Sequence, residues 1–162
     1  MSDPRPQFGR PEPGRPSVDR PAAFGLLLSD GRLATVRVTR LEEAPYLDLP
    51  GGAVEPGESE AQAVVREVAE ETGLIVRPLT CIAEAGQYFL KSDGAAVNNI
   101  GGFWTLELIG QDPAGKIEDD HELVWLDPEA ALVSLRHDAH AWAVAAWLRW
   151  VEGGERNRRL TG

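Results

Sequence analysis

The chain has 162 residues, with 26 Asp and Glu against 16 Lys and Arg, a net charge of −10 and a single cysteine, Cys81. That length supports one domain with a continuous core, and one cysteine excludes an intrachain disulfide or a zinc cluster built from thiolates. The N-terminal stretch lacks the apolar core of a signal peptide and no apolar run has the length of a membrane span, so a cytoplasmic protein without a membrane partner is expected.

The charge is uneven. Residues 1–20 and 152–162 each sum to +1, so the middle carries −12. A surface that acidic repels long nucleic acid, whose binding depends on neutralising phosphates with Lys and Arg. A small phosphorylated ligand remains possible if divalent cations lie between its phosphates and the carboxylates.

Six of the twelve prolines fall in the first 21 residues, with almost no large apolar residue among them. Residues 1–20 therefore read as a disordered Pro-rich tail, followed by one domain over 21–151 and a flexible tail over 152–162. AAFGLLLS predicts a buried strand, SDGR a turn, and LATVRVT a second strand with Leu33, Thr35, Arg37 and Thr39 on one face. YLDLP predicts a short strand entering Gly51 and Gly52. Beyond residue 74, LIVRPLTCIAEAGQYFL and AVNNIGGFWTLELI flank the turn signal KSDG as long paired strands, and HELVWL predicts a further strand. Two helical patterns close the chain, DPEAALVSL and DAHAWAVAAWLRWVEG, the second stopped by Gly153 and Gly154. Strands, a central helix, more strands and terminal helices make an α/β (α+β) fold, a mixed sheet covered by helices.

The stretch GGAVEPGESEAQAVVREVAEETGL, residues 51–74, carries the chemistry. Ser59 and Gln62 have capping-box spacing and predict a helix start, while Gly73 is placed to end it in the left-handed conformation. Ala61, Val64, Val65, Val68 and Thr72 form its packing stripe, and Glu67, Glu70 and Glu71 cluster at i, i+3 and i+4 on another face. Such clustering opposes helix formation unless a cation compensates, and oxygen-rich clusters suit Mg²⁺ or Mn²⁺ with substrate phosphates completing the coordination. Gly51 and Gly52 allow a phosphate chain to approach the backbone.

The spacing of Gly52, Glu58, Arg66, Glu67, Glu70, Glu71 and Gly73, with Val68 and Leu74 apolar, resembles a complete Nudix box. The resemblance implies an α/β/α sandwich with a central mixed sheet and a loop-helix-loop catalytic motif. It implies Mg-dependent hydrolysis of a nucleoside diphosphate linked to another moiety, Mn²⁺ substituting. By resemblance Glu70 and Glu71 are the principal metal ligands, Glu67 and Glu58 complete the shell, and Arg66 orients the glutamates. The general base stays open between Glu67 and a carboxylate of the later run EDDHE, where Glu118 comes before Glu122. Arg37 and Arg40 are candidates for substrate phosphate, and Tyr88, Phe89, Phe103 and Trp104 for base stacking, each against a simpler role in packing or solvation.

Other groups are weaker. His121-Glu122 fails as a zincin start because Trp125 stands where the second histidine belongs. His137 and His140 read as surface or cap residues, Cys81 as packing, and Trp142, Trp147 and Trp150 as core or interface anchors. The marks of ADP-ribose, coenzyme A and NADH hydrolases are missing, so the chain is most similar to the MutT-like group acting on nucleoside triphosphates, oxidised ones included. ADP-sugar or dinucleotide polyphosphate hydrolysis, a nucleotide-sensing binding module and an RNA end-processing enzyme are the alternatives. The expected partner is a small nucleotide, and the protein is a monomer or homodimer.

Overall fold

The computed structural model describes residues 5–161. The chain runs β1 (Gln7–Phe8), β2 (Val18–Ser29), β3 (Arg32–Val38), β4 (Tyr46–Asp48), β5 (Gly51–Ala53), α1 (Glu60–Thr72), β6 (Leu74–Leu90), β7 (Ala96–Gln111), a 3₁₀ turn (Pro113–Gly115), β8 (His121–Leu126), α2 (Pro128–Ser134) and α3 (Asp138–Thr161). Pairing is mixed: β2 runs parallel to β7 and β1 to β6, while β6–β7, β2–β5, β3–β4 and β3–β8 are antiparallel. The α/β/α expectation holds.

Strand alternation sends β2 into two cores. Ala22, Phe24 and Leu26 face one that includes Ala143, Val144 and Trp147 of α3; Ala23 and Leu27 face the other, with Ala63, Val64 and Val68 of α1. A strand buried on both faces is nearly continuous in apolar residues, which is why AAFGLLL has no polar alternation. β3 is likewise buried on both faces through Leu33, Ala34, Thr35 and Val36.

Three expectations need correction. The segment before residue 21 is tied to the sheet: β1 pairs with Gly86 and Gln87, Phe8 packs on Trp142 with ring centroids 5.7 Å apart, and β2 already begins at Val18. Its composition cannot build a core, but a sheet edge supplies backbone partners that need none. Gly153 and Gly154 do not stop α3, which continues through the expected tail to Thr161. An interior glycine costs a helix about 1 kcal/mol without forcing it to end. His137 and His140 are buried, at 7% and 2% exposure, rather than at the surface. Trp147 is core at 4% exposure and Trp150 is 54% exposed. Among the described residues no helix is long and apolar enough to cross a membrane.

Candidate active site

Helix α1 begins as its capping box dictates. The Ser59 hydroxyl accepts from the Gln62 backbone N–H and the Gln62 side chain accepts from the Ser59 N–H, while Gly73 closes the helix at φ +75°. One side of α1 packs on the sheet through Ala63, Val64 and Val68, and Glu71 is drawn into the same interface at 3% exposure.

The strand before the helix supplies the opposite wall. Gly51, at φ +145°, pairs with Phe24 of β2, where an added Cβ would collide with the Ala23 carbonyl; its N–H donates to Glu71 Oε1 at 2.8 Å. A Cβ on Gly52 would stand 2.9 Å from the Glu67 carboxylate. The two glycines thus let two carboxylates lie against the backbone.

Arg66 is the hub. Its Nε and Nη2 donate side by side to Glu58 at 2.8 and 2.9 Å, Nη2 also donates to the Ala53 carbonyl at 3.0 Å, and Nη1 donates to Glu67 at 3.0 Å and Glu70 at 3.2 Å. Those five bonds use every guanidinium N–H. The bidentate Arg66 partner, helped by the Glu55 N–H, holds Glu58 down to a pKa of about 2. Glu58 therefore spends both oxygens on orienting Arg66. Burial pushes the Glu67 carboxyl up, partly offset by Arg66, with Glu70 and Glu118 adding repulsion. Burial pushes Glu71 well above the ordinary carboxylate value, the Gly51 N–H only partly opposing it.

A relay joins Glu71 to the next loop. His121 Nε2 is 3.3 Å from Glu71 Oε2, its Nδ1 is 2.7 Å from Asp120 Oδ1, and Arg40 Nε donates to Asp120 Oδ2 at 2.9 Å. The contact between an imidazole nitrogen and a carboxylate needs one proton between them. The loop carrying Glu118 is anchored because Ile117 and Glu118 both donate their N–H to the Glu70 carbonyl. Glu67, Glu71, Glu118, Gly51, Gly52 and His121 consequently line one depression of about 270 Å³ together with Arg20 and Arg40. Glu118, Asp120 and His121 bring ligand atoms within 4.8 Å of one another.

The carboxylates that line the depression fit a hard divalent cation, with the His121 imidazole beside them. The two most buried, Glu67 and Glu71, are acids that the fold keeps from ionising easily and a cation would return to the charged form. Arg66 takes one oxygen of Glu70, Oε2, and not the other.

A larger cleft of about 330 Å³ adjoins this depression and shares Arg20, Arg40, Gly51, Gly52 and His121 with it. Arg20, Arg40, Lys91 and Arg136 line the cleft against Glu43 and Asp48, a cationic excess in a chain of net charge −10. Aromatic faces come from Tyr46 and Phe89.

The sequence-predicted residues divide accordingly. Glu58, Arg66, Glu67, Glu70, Glu71, Gly51, Gly52 and Glu118 are brought together. Arg37 is not: it is exposed on β3 and pairs with Glu122 of β8 at 3.6 Å, while its neighbour Val38 lines the cleft. Tyr88 is not in the cleft lining either, where its neighbour Phe89 stands. Neighbouring strand residues point to opposite faces, so an error of one position moves a side chain out of the site. Arg20, Tyr46, Asp48, Asn99 and Arg136 were missed. Arg20 lay in the segment read as a tail, and the others carry no local motif; the cationic excess was visible only once the residues had been brought together.

A family model described as NUDIX domain matches residues 19–151. A Bacillus subtilis (strain 168) protein provisionally named an 8-oxo-dGTP diphosphatase is 43% identical over 51 residues, 32% of this chain and 33% of that protein, so the match spans about a third of that relative's length. The RNA pyrophosphohydrolase of Dinoroseobacter shibae is 27% identical over 146 residues, covering 78% of this chain and 91% of that one. The crystal structure of a MutT NUDIX hydrolase from Burkholderia pseudomallei superimposes with a TM-score of 0.57 at 25% identity, covering 79% and 97% of the two chains.

Proposed function

The chain belongs to the Nudix family, and from that premise we propose that it hydrolyses nucleoside triphosphates, oxidised ones included, to the monophosphate and diphosphate, with Mg²⁺ as cofactor and Mn²⁺ able to replace it. The observation that carries this reading is the continuity of the carboxylate depression with a cationic, aromatic-walled cleft through Arg20, Arg40, Gly51, Gly52 and His121. One half handles phosphates and water; the other has room for a nucleoside.

Glu67, Glu70 and Glu71 would hold the cation. When bound, it neutralises phosphate charge and lowers the pKa of a water. Arg66 keeps the glutamates in orientation, and Arg20 and Arg40 bind phosphate oxygens at the junction of the two cavities. Glu67 takes the proton of the attacking water as a P–O bond forms and the anhydride P–O bond breaks, diphosphate leaving. Beside a cation the carboxylate would stay ionised against the burial that pushes its pKa up, so it is in the form that accepts a proton. Glu118 faces the same depression and is the second candidate for that proton.

The name of the Bacillus relative supports an oxidised purine substrate. The name of the Dinoroseobacter relative supports a second reading, a triphosphate at the end of an RNA, against which stands the charge of −12 over residues 21–151. A phosphate-release screen with Mg²⁺ separates them, using nucleoside triphosphates, 8-oxo-dGTP, ADP-sugars, dinucleoside polyphosphates and a 5′-triphosphorylated RNA, with Glu71→Gln as control. Turnover of free triphosphates that stops in Glu71→Gln supports the proposal. Reaction confined to RNA or to ADP-sugars moves the substrate, and binding without turnover moves the reading to a nucleotide-sensing module.

A further inference from the structure

The cleft wall away from the carboxylates holds an arginine with unused donors. Arg136 lies in the turn between α2 and α3, where its own N–H donates to the Leu47 carbonyl at 2.8 Å. Its Nε and Nη2 donate to the two oxygens of Asp48 at 3.2 and 2.7 Å, and its Cζ is 3.6 Å from the Tyr46 ring centroid. Aromatic stacking and a bidentate carboxylate fix the plane of the guanidinium. Among the described residues no acceptor takes Nη1 or the second N–H of Nη2. These form the other fork of the guanidinium, two parallel donors on a residue that lines the cleft. Beside it, His137 is 93% buried yet lines the same cleft, its ring nitrogens without a protein partner among the described residues. Burial holds its pKa down to about 3, so the ring is neutral.

Charge sorts the two ends of the cleft. Arg136 is already paired with Asp48, whereas among the described residues Arg20 donates to the neutral Asn99 amide at 2.8 Å and has no hydrogen-bonded carboxylate, Glu67 acting on it through charge alone. A phosphate belongs with Arg20, which gives no hydrogen bond to a carboxylate among the described residues and also lines the carboxylate depression. Phe89 stands between, with Arg20 5.9 Å and Arg136 5.6 Å from its ring centroid.

Resting on the nucleotide-hydrolase reading, we propose that the free fork of Arg136 reads the base of the nucleotide and that this base is guanine, whose O6 and N7 are two adjacent acceptors. Guanidinium to O6 and N7 is the pairing that geometry favours wherever arginine reads guanine. Adenine places an amino donor against one arm of the fork. In 8-oxoguanine N7 carries a proton and opposes the fork in the same way, so within the hydrolase reading the unmodified guanine nucleotide is the better ligand and its oxidised form the weaker one. Cytosine also offers two adjacent acceptors, N3 and O2, so dCMP is the comparison that separates a guanine reader from a cytosine reader.

Binding to the full-length protein without metal tests this separately from catalysis. Calorimetric affinities for dGMP, dAMP, dCMP, 8-oxo-dGMP and 7-deaza-dGMP are compared, with inorganic pyrophosphate as the control for the phosphate end. We expect dGMP to bind about five- to a hundredfold more tightly than dAMP, and 7-deaza-dGMP to lose most of that advantage because it lacks only the N7 acceptor. In Arg136→Lys the preference collapses to within about threefold while pyrophosphate affinity is unchanged, since lysine keeps the charge but not the fork. Equal affinity for dGMP and dAMP, tighter binding of dCMP or 8-oxo-dGMP, an unaltered affinity for 7-deaza-dGMP, or a guanine preference that survives Arg136→Lys would each overturn the proposal. The 7-deaza comparison needs no variant, so it decides even if Arg136→Lys fails to fold. Selective dGMP binding in a protein that hydrolyses no triphosphate leaves the base assignment standing and removes the hydrolase reading; hydrolysis with no base preference does the reverse.

Discussion

Arg66 and Arg136 are gripped alike, each giving its Nε and Nη2 to one carboxylate, Glu58 in the first case and Asp48 in the second. They differ in what becomes of the other donors. Arg66 spends them inside the protein on Ala53, Glu67 and Glu70, whereas Arg136 leaves its second fork open beside Tyr46. A guanidinium with every N–H satisfied holds other groups in place and has nothing left for a ligand. One with a fixed plane and a free fork is prepared to read an edge. Counting donors thus separates the scaffold of this site from its reader, which charge alone does not.

The largest effect should come from Glu71→Gln. Hydrolysis should fall on the order of a thousandfold, the several kcal/mol that a metal site contributes to the transition state. Thermal unfolding should show no loss of stability, because the amide oxygen still accepts from Gly51 and a buried acid is gone; a large drop in Tm would mean that Glu71 is structural. Arg66→Lys should cost about 2 kcal/mol, below the 3–5 of a fully buried pair because the site is partly wet, and lower Tm by about 4–8 °C. If Tm and hydrolysis both survived that change, the saturated hub would not be needed and the contrast with Arg136 would lose its meaning. Gly52→Ala should displace Glu67 and reduce kcat by about tenfold or more, as small misplacements of reacting groups do, with KM little changed.

A smaller effect concerns pH. Because Glu67 and Glu71 have raised folded pKa values, their stabilising contribution is present below the unfolded carboxylate value and is lost as pH rises through the folded values. The gain in Tm on adding Mg²⁺ should therefore grow as pH rises above the ordinary carboxylate range, since the cation binds the ionised form. A gain independent of pH would argue that these acids do not hold the metal. The smallest effect belongs to Arg37→Ala, an exposed pair with Glu122 worth about 0–1 kcal/mol, which should leave hydrolysis unchanged.

Much of the fold was legible because its signals are local. The capping box at Ser59, the cap at Gly73, the SDGR and KSDG turns and the strand HELVWL depend on neighbours within a few residues, and the structure bears them out. Local rules failed where distant partners decided. Residues 7 and 8 order on the edge of β6, His140 is buried where its Nδ1 accepts from the Leu49 N–H, and α3 passes through its two glycines.

The candidate site divides along the same line. The box carboxylates and Arg66 lie within one helix and the loop before it, so helical spacing by itself placed Glu67, Glu70 and Glu71 within reach of one another and of a compensating cation. The cleft is assembled from Arg20 on β2, Tyr46 and Asp48 on β4, Phe89 on β6, Asn99 on β7 and Arg136 before α3. Only sheet pairing and the packing of α3 bring those residues together, because contacts across so many residues of chain leave no periodic trace in the sequence.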